Sequence, residues 1–558
     1  MRSLAADLVY VPLGGAGEIG MNAGLYGFGD ERSRKWLMVD CGVTFAEGDD
    51  TPGIDLILPD IRFAEEERRN IVGLVLTHAH EDHFGALLDL WPRLRVPVWA
   101  TPFAAALLEA KRRSEPRAPD IDVRVVPVDG RITLAPFDIE FVPVAHSIPE
   151  STALAIRTPA GLVVHTGDWK LDDSPVVGRP TDEARMRALG AEGVTAVVGD
   201  STNAVREGRS PSESDVARSL AEIIRNAPAR VAVTTFASNV GRLRAVAEAA
   251  MAADRNVVIV GRSMQRIVTV ARETGYLEGI PPFLGPDSYG YLPRDKVVAL
   301  LTGSQGEPRA ALARVAKDDH PEIALAPGDM VIFSSRTIPG NEKAIGRIVN
   351  GLVSQGIDIV TDGKQLVHVS GHPRRGEIAS LYSWLKPQLV VPVHGEALHM
   401  AEHAAFARSL GVPRTMIIRN GQMARIAGGP PEIVDEVPSG RLYKDGSLLV
   451  GASEPVIGER RRLGFVGVAT VAMALSPRGD LLDGPDIRLF GVPERSADGT
   501  PMIEIARDAV LATFEGLPRA RRRDRDTIEP AIERALRSAI GQAWGKKPHT
   551  QVMVLVAD

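Results

Sequence analysis

One stretch of the chain, residues 71–83 with the sequence IVGLVLTHAHEDH, limits the possible folds more than any other. Its first half is apolar and rich in β-branched residues (Ile71, Val72, Leu74, Val75, Leu76), short for a helix and suited to a buried strand. The run ends at Thr77, and His78, His80, Asp82 and His83 follow within six positions. Imidazole and carboxylate together suit zinc or manganese. Side chains alternate along an extended chain, so His78 and His80 face the same way and can grip one ion. Asp82 and His83, where the chain turns, can reach a second. The competing reading, a polar loop of ordinary histidines, leaves four metal-competent groups at one strand end without a reason.

At 558 residues the chain has room for about two to four domains with sizeable cores. Hydrophobic content of 44% and charged content of 24% are those of a soluble globular protein. A single cysteine, Cys41, rules out an intrachain disulfide and a zinc site built from several cysteines, in keeping with a cytoplasmic location. The opening MRSLAADLVYVPLGG lacks the apolar core of a signal peptide, and no apolar run is long enough to span a membrane. A net charge of −6 argues against a uniformly basic nucleic-acid binder but leaves room for a local basic channel.

Further along, the same pattern recurs: an apolar strand, then a ligand. Strands at 139–144, 162–165 and 389–393 run into His146, Asp168 and His394, and a strand from 194 ends at Asp200. Asp168 suits a carboxylate that bridges two ions. His165, inside its strand, reads as a core histidine, and His399 and His403 as surface or structural residues. Gly15 to Gly20 formally matches a dinucleotide-binding fingerprint, with Asp40 20 residues beyond. No helix follows it, so the glycines are read as hairpin turns and Asp40 as a carboxylate that orients metal ligands.

From Ser212, which opens a helix with a capping-box pattern, strands and helices alternate as in a parallel sheet flanked by helices. The expected division is 1–208 and 356–450 for one interrupted domain, 209–355 for the insertion, a linker at 451–463 and a small α+β domain at 464–558. Arg460 to Arg462, and Arg519, Arg521, Arg522, Arg523 and Arg525, read as basic loops, by default solvated and alternatively RNA-contacting.

The ordered set His78, His80, Asp82, His83, His146, Asp168, Asp200, His372, His394 resembles the β-CASP branch of the metallo-β-lactamase superfamily. Within that branch, LGGAGEIGMN, LTHAHEDHFGAL, HTGDWK, GDSTNA, TTFASNVGR, HVSGH and PVHGE are similar to the ribonuclease J family of bacteria. The resemblance implies an α/β architecture: an αββα sandwich, an inserted parallel-sheet β-CASP domain and a small α+β C-terminal domain. It implies two divalent cations, zinc foremost with manganese or magnesium as alternatives. His78, His80 and His146 would hold one, Asp82, His83 and His394 the other, with Asp168 between them.

Loop residues His368, Val369, Ser370, Gly371 and His372, with Ser238 and Asn239, would bind the 5′ phosphate of RNA. One departure stands out: Gly241 occupies a position where many relatives have histidine, which puts a further phosphate contact in doubt. No calcium site is expected. The implied activity is 5′→3′ exonucleolysis of single-stranded RNA with a 5′-monophosphate, with additional endonuclease cleavage, in ribosomal RNA maturation and messenger decay. Asp82 would accept the proton of the attacking water, His372 would protonate the leaving oxygen, and Asp200 would orient ligand or phosphate-site histidines. A homodimer or homotetramer, and membership of an RNA-degradation or ribosome-associated complex, are expected by analogy. The rival readings are a small-molecule hydrolase and a non-catalytic RNA-binding scaffold. The inserted domain and the HVSGH loop oppose the first, the complete ligand set the second.

Overall fold

The computed structural model describes residues 6–31, 33–46, 50–338 and 340–557. Residues 1–5, part of the stretch read for a signal peptide, lie outside them. The chain divides into two units, one formed by Asp55–Gly451 with the chain up to Ala46, the other by the chain from Ala452 with the short segment before Asp55.

Two sheets face each other in the first unit. One has eight strands in the order Glu432–Glu436, Gln422–Ala427, Asp7–Gly14, Ala23–Gly29, Lys35–Val39, Ile71–Val75, Val98–Ala100 and Val123–Val125. The other has seven, Arg131–Leu134, Phe137–Pro143, Thr152–Thr158, Gly161–His165, Val194–Asp200, Leu389–Val393 and Arg414–Thr415. Tyr26, Val75, Phe137, Phe141, Ile156 and Val391 meet in the layer between them. Helices Leu87–Leu94 and Pro102–Arg113 cover the outside of the first sheet, and Glu183–Glu192 and Arg375–Leu385 that of the second. This is the expected αββα sandwich. Leu389–Val393 is buried along its whole length, as its unbroken apolar sequence requires of a strand covered on both faces.

Strand direction places the ligands. Gly161–His165, Val194–Asp200 and Leu389–Val393 run parallel to one another, and Lys35–Val39 parallel to Ile71–Val75. Parallel neighbours bring their carboxyl ends to one edge, where open α/β sheets keep their binding sites. Asp40, His78, Asp168 and His394 follow such ends, and Asp200 is itself one.

The insertion is a five-stranded sheet, parallel throughout, in the order Asn256–Val260, Val297–Leu301, Val231–Thr234, Met330–Phe333, Asp358–Thr361. Helix Glu213–Asn226 opens with the expected capping box: Ser212 Oγ accepts from Ser214 N, and the Asp215 carboxylate accepts from Ser212 N at 3.0 Å. Asp358–Thr361, just beyond the boundary expected at 355, pairs with Met330–Phe333 at the edge of this sheet. Four residues of moderate hydrophobicity at a sheet edge carry too little signal to be read as a strand.

In the second unit, the expected linker at 451–463 is instead largely helical, Val456–Val466. Arg460 to Arg462 therefore lie on a helix and not in a loop, and Arg525 begins helix Arg525–Trp544. Strand Val468–Leu475 runs antiparallel to Asp486–Phe490 and parallel to His549–Val556. Its strict alternation of burial shows one face packed on helices Met502–Gly516 and Arg525–Trp544 through Val471, Met473, Val510 and Ile532.

Candidate metal centre

The chain leaves strand Ile71–Val75 through Leu76 and Thr77, passes His78 and His80 in extended form, then turns into the short helix Glu81–Phe84 that carries Asp82 and His83. His78 and His80 do converge: His78 Nε2 lies 3.1 Å from His80 Nδ1, and His146 Nε2 3.0 Å from the same atom. Ligands sharing one zinc at about 2.0 Å stand roughly 3.3 Å apart, so three ring nitrogens at this spacing form a cation cage. Ligand atoms of His78, His80, His146 and Asp168 all lie within 4.8 Å of one another, as do those of Asp82, His83, Asp168 and His394. A third group at the same spacing, Asp168, Asp200, His372 and His394, was not expected, since Asp200 and His372 had been given other roles.

Asp168 belongs to all three groups. Its Oδ2 faces His83 Nε2 at 3.2 Å and His78 and His146 Nε2 at 3.7 Å, while its Oδ1 faces His394 Nδ1 at 3.8 Å. Oδ1 is buried without a hydrogen-bond partner. A buried carboxylate oxygen left so is costly unless a cation meets it, so these residues fit divalent metal ions.

Four of the imidazoles are held from behind. Asp40 Oδ2 accepts from His83 Nδ1 at 2.7 Å, and the same carboxylate accepts from Thr77 N and Thr77 Oγ1, both at 2.8 Å. Thr202 Oγ1 stands 2.7 Å from His394 Nδ1, Gly371 O 2.7 Å from His146 Nδ1, and Asp200 Oδ2 2.8 Å from His372 Nδ1. Such partners fix the tautomer and the ring plane. Backbone strain gathers here too, with Asp40 at φ 62° and His394 at φ 52°. His394 N donates to Gly15 O at 2.6 Å, so the glycine-rich turn supports a ligand in addition to making a hairpin.

The two sides differ electrostatically. Burial pulls His78 and His146 well below the ordinary imidazole value and His80 down to about 4, which leaves them neutral and ready to ligate. Around His83 and His394 burial is overruled by Asp168 and its neighbouring carboxylates. His83 is pushed well up and His394 to about 10, so protons stand there in place of the charge a cation would bring.

Loop 367–372 passes directly beside this centre. Asn203 Nδ2 donates to Ser370 Oγ at 2.8 Å and to His372 O at 3.1 Å. A Cβ on Gly371 would stand 2.6 Å from the His146 ring, so only glycine fits there. His368, within the loop, is held neutral by burial, reinforced by Arg242, Arg336 and Lys170. Asn239 is partly committed elsewhere: its Oδ1 accepts from Arg242 N at 2.9 Å and caps helix Val240–Ala252. A phosphate contact would fall to its Nδ2, and Ser238 precedes it half-buried. Gly241 is buried, its Cβ direction closed by Val177 at 3.3 Å. His165 bonds to Tyr26 OH at 2.9 Å and His403 to Ser201 Oγ at 2.9 Å, both structural as expected. Sequence reasoning missed Thr77, Thr202, Asn203 and Asn22, whose Nδ2 donates to Asp82 O at 3.1 Å, as supports. GEIGMN and GDSTNA contained three of them, without a spacing that announces a role.

The sandwich, the parallel insertion and a histidine–aspartate cage at the strand ends define a β-CASP metallo-hydrolase. The metallo-beta-lactamase superfamily profile matches residues 22–262, and that of a Zn-dependent metallo-hydrolase RNA specificity domain matches 356–414. The ribonuclease J beta-CASP domain matches 228–352 and the ribonuclease J C-terminal domain 455–557. Ribonuclease J of Sinorhizobium meliloti is 55% identical over 548 residues, 98% of this chain and 97% of that protein. Ribonuclease J of Mycolicibacterium smegmatis is 39% identical, over 96% of this chain and 95% of its own length. A crystal structure of a protein of unknown function from Enterococcus faecalis V583 shares the fold, with TM-score 0.52 and 16% identity over 75% of this chain and 99% of that one. The chain belongs to the ribonuclease J family.

Proposed function

We propose that the protein is a metal-dependent ribonuclease that removes nucleotides from the 5′ end of single-stranded RNA, prefers a 5′-monophosphate, and also cuts internally. The observation that carries the reading is the bond from His146 Nδ1 to Gly371 O at 2.7 Å. It ties the proposed end-recognition loop to a proposed metal ligand. His78, His80 and His146 would hold one cation, Asp82, His83 and His394 a second, with Asp168 shared. Such a pair, when bound, supplies a water acidic enough to attack at neutral pH and offsets charge on the phosphoryl oxygens.

The protein's own groups then move the protons. A water oxygen forms a bond to phosphorus, the bond from phosphorus to the 3′ oxygen breaks, and the water proton passes to Asp82. Asp82 Oδ2 faces His394 Nε2 at 3.1 Å, so its other oxygen would take that proton. His372 gives its proton to the departing 3′ oxygen. Burial works against protonation of His372, but Asp200 and Asp168 outweigh it and raise its pKa, which suits a general acid near neutral pH. With Nδ1 tied to Asp200, the partly exposed ring offers Nε2 to substrate. The shortened RNA again carries a 5′-monophosphate, so the same loop accepts it for the next cycle.

The test compares two internally labelled RNAs that differ only in a 5′-monophosphate or a 5′-triphosphate, incubated with the protein and manganese. Rapid mononucleotide release from the monophosphate alone is expected. Equal internal cutting of both would make the enzyme chiefly an endonuclease. No cleavage of either, with metals bound, would overturn the reading in favour of a small-molecule hydrolase.

A further inference from the structure

Four buried charges, the first two shortly after Asp168 in the chain, lead to the loop at 367–372. Asp168 is followed by Lys170 and Asp172, both essentially inaccessible, with Lys170 Nζ 2.8 Å from Asp172 Oδ2. The same ammonium lies 3.8 Å from Glu213 Oε1, on the first residue of helix Glu213–Asn226. Glu213 Oε2 accepts from Arg242 Nη2 at 2.8 Å. Arg242 is 0% exposed, and its Nη1 donates to Val367 O at 2.9 Å, to Ser334 O at 3.1 Å and to Ser334 Oγ. Ser334 Oγ donates to Val367 O as well, at 2.7 Å.

A chain of alternating buried charges contributes little net stability, because desolvation offsets the attraction. What it supplies is direction. A guanidinium offers donors in a rigid planar fork, and here that fork spans a carboxylate, the end of strand Met330–Phe333 and the carbonyl just before His368. The far half of the loop has separate supports, Asn203 at Ser370 and His372 and His146 at Gly371. Arg242 and Ser334 hold the near half.

We propose that Arg242 is a positioning residue for recognition of the RNA 5′ phosphate. Aligned by Glu213 and the Lys170–Asp172 pair, its guanidinium fixes the Val367 carbonyl and thereby sets where His368 and Val369 stand relative to Asp168. The inference rests on the reading of 368–372 as the 5′-phosphate loop. Because His372 and the metal ligands have other supports, loss of the fork disturbs end recognition and spares the hydrolytic centre.

Two full-length variants loaded with manganese test this. Arg242→Lys keeps a cation facing Glu213 but cannot span Glu213, Ser334 and Val367 together. Ser334→Ala removes one support with less risk to folding. Each is assayed on one RNA with a 5′-monophosphate or a 5′-hydroxyl, and on bis(p-nitrophenyl) phosphate, which has no 5′ end. Arg242→Lys is expected to raise KM for the monophosphorylated RNA about tenfold or more, a typical consequence of misplacing a binding group by a fraction of an ångström. Ser334→Ala should shift it in the same direction. The ratio of kcat/KM between the two RNA ends should fall toward unity, with metal content and turnover of the small diester retained.

An unchanged ratio in folded Arg242→Lys would overturn the proposal. So would diester turnover that falls in step with RNA turnover, since the residue would then support the metal centre generally. If Arg242→Lys does not fold, the ratio in Ser334→Ala decides. A ratio of unity in the unaltered protein would overturn the 5′-phosphate reading itself, and the inference with it.

Discussion

His80 is the residue on which the first cluster turns. Its Nδ1 is the common neighbour of His78 Nε2 and His146 Nε2, at 3.1 and 3.0 Å, and burial keeps its ring neutral. His80→Ala removes a nitrogen that no nearby group can replace, while its partly exposed position lets the fold absorb the loss. RNA hydrolysis is expected to fall more than about a hundredfold, beyond the usual effect of losing a supporting partner, with the melting profile and most RNA binding retained. Retained hydrolysis would refute the metal assignment. At this scale the site was legible where chemistry is dense: four ligands within six positions have few other uses. Thr202 was not legible, because a threonine after a strand is ordinary until its hydroxyl is found 2.7 Å from His394 Nδ1.

At the scale of elements, the candidate ligands sit where strands stop. Strands were readable from apolar runs such as Leu389–Val393, and helix Glu213–Asn226 from its capping box. The strand Asp358–Thr361 and the helix Val456–Val466 were not, since a short edge strand and a helix without an apolar stripe leave no periodic mark. Loop 367–372 has no regular structure of its own and takes its shape from His146, Asn203 and Arg242. Gly371→Ala tests how tightly. The new methyl would stand 2.6 Å from the His146 ring and force either the loop or that ring aside. RNA hydrolysis is expected to drop by about a hundredfold, the scale set by an ångström of misplacement. Metal analysis of the variant would tell which of the two moved, and wild-type turnover with full metal content would disprove the tight fit.

For the whole molecule, the metal centre closes the sandwich. Its groups come from both sheets, from residue 40 through residue 394, and include Asp40, Asp168 and Asp200, all nearly inaccessible. Cations bound there stabilise only the folded chain, by about 2.7 kcal/mol per site at a hundredfold excess over Kd. Chelation is therefore expected to abolish RNA hydrolysis and lower Tm by a few degrees, since a domain of about 150–250 residues shifts by about 2–4 °C per kcal/mol and a longer chain by less, both restored by zinc or manganese. Calorimetry with and without a chelator checks this, and an unchanged Tm alongside undiminished hydrolysis would exclude resident metals. The sequence by itself determined the candidate ligand types, the strands that carry them and the alternation of the insertion, because these are local patterns with a fixed period. Only the tertiary structure decided that Asp168 stands among five histidines, that Gly15 braces His394, and that Arg242 reaches Val367 across 125 positions. Those contacts depend on which strands become neighbours and in what direction they run, and no local pattern records that.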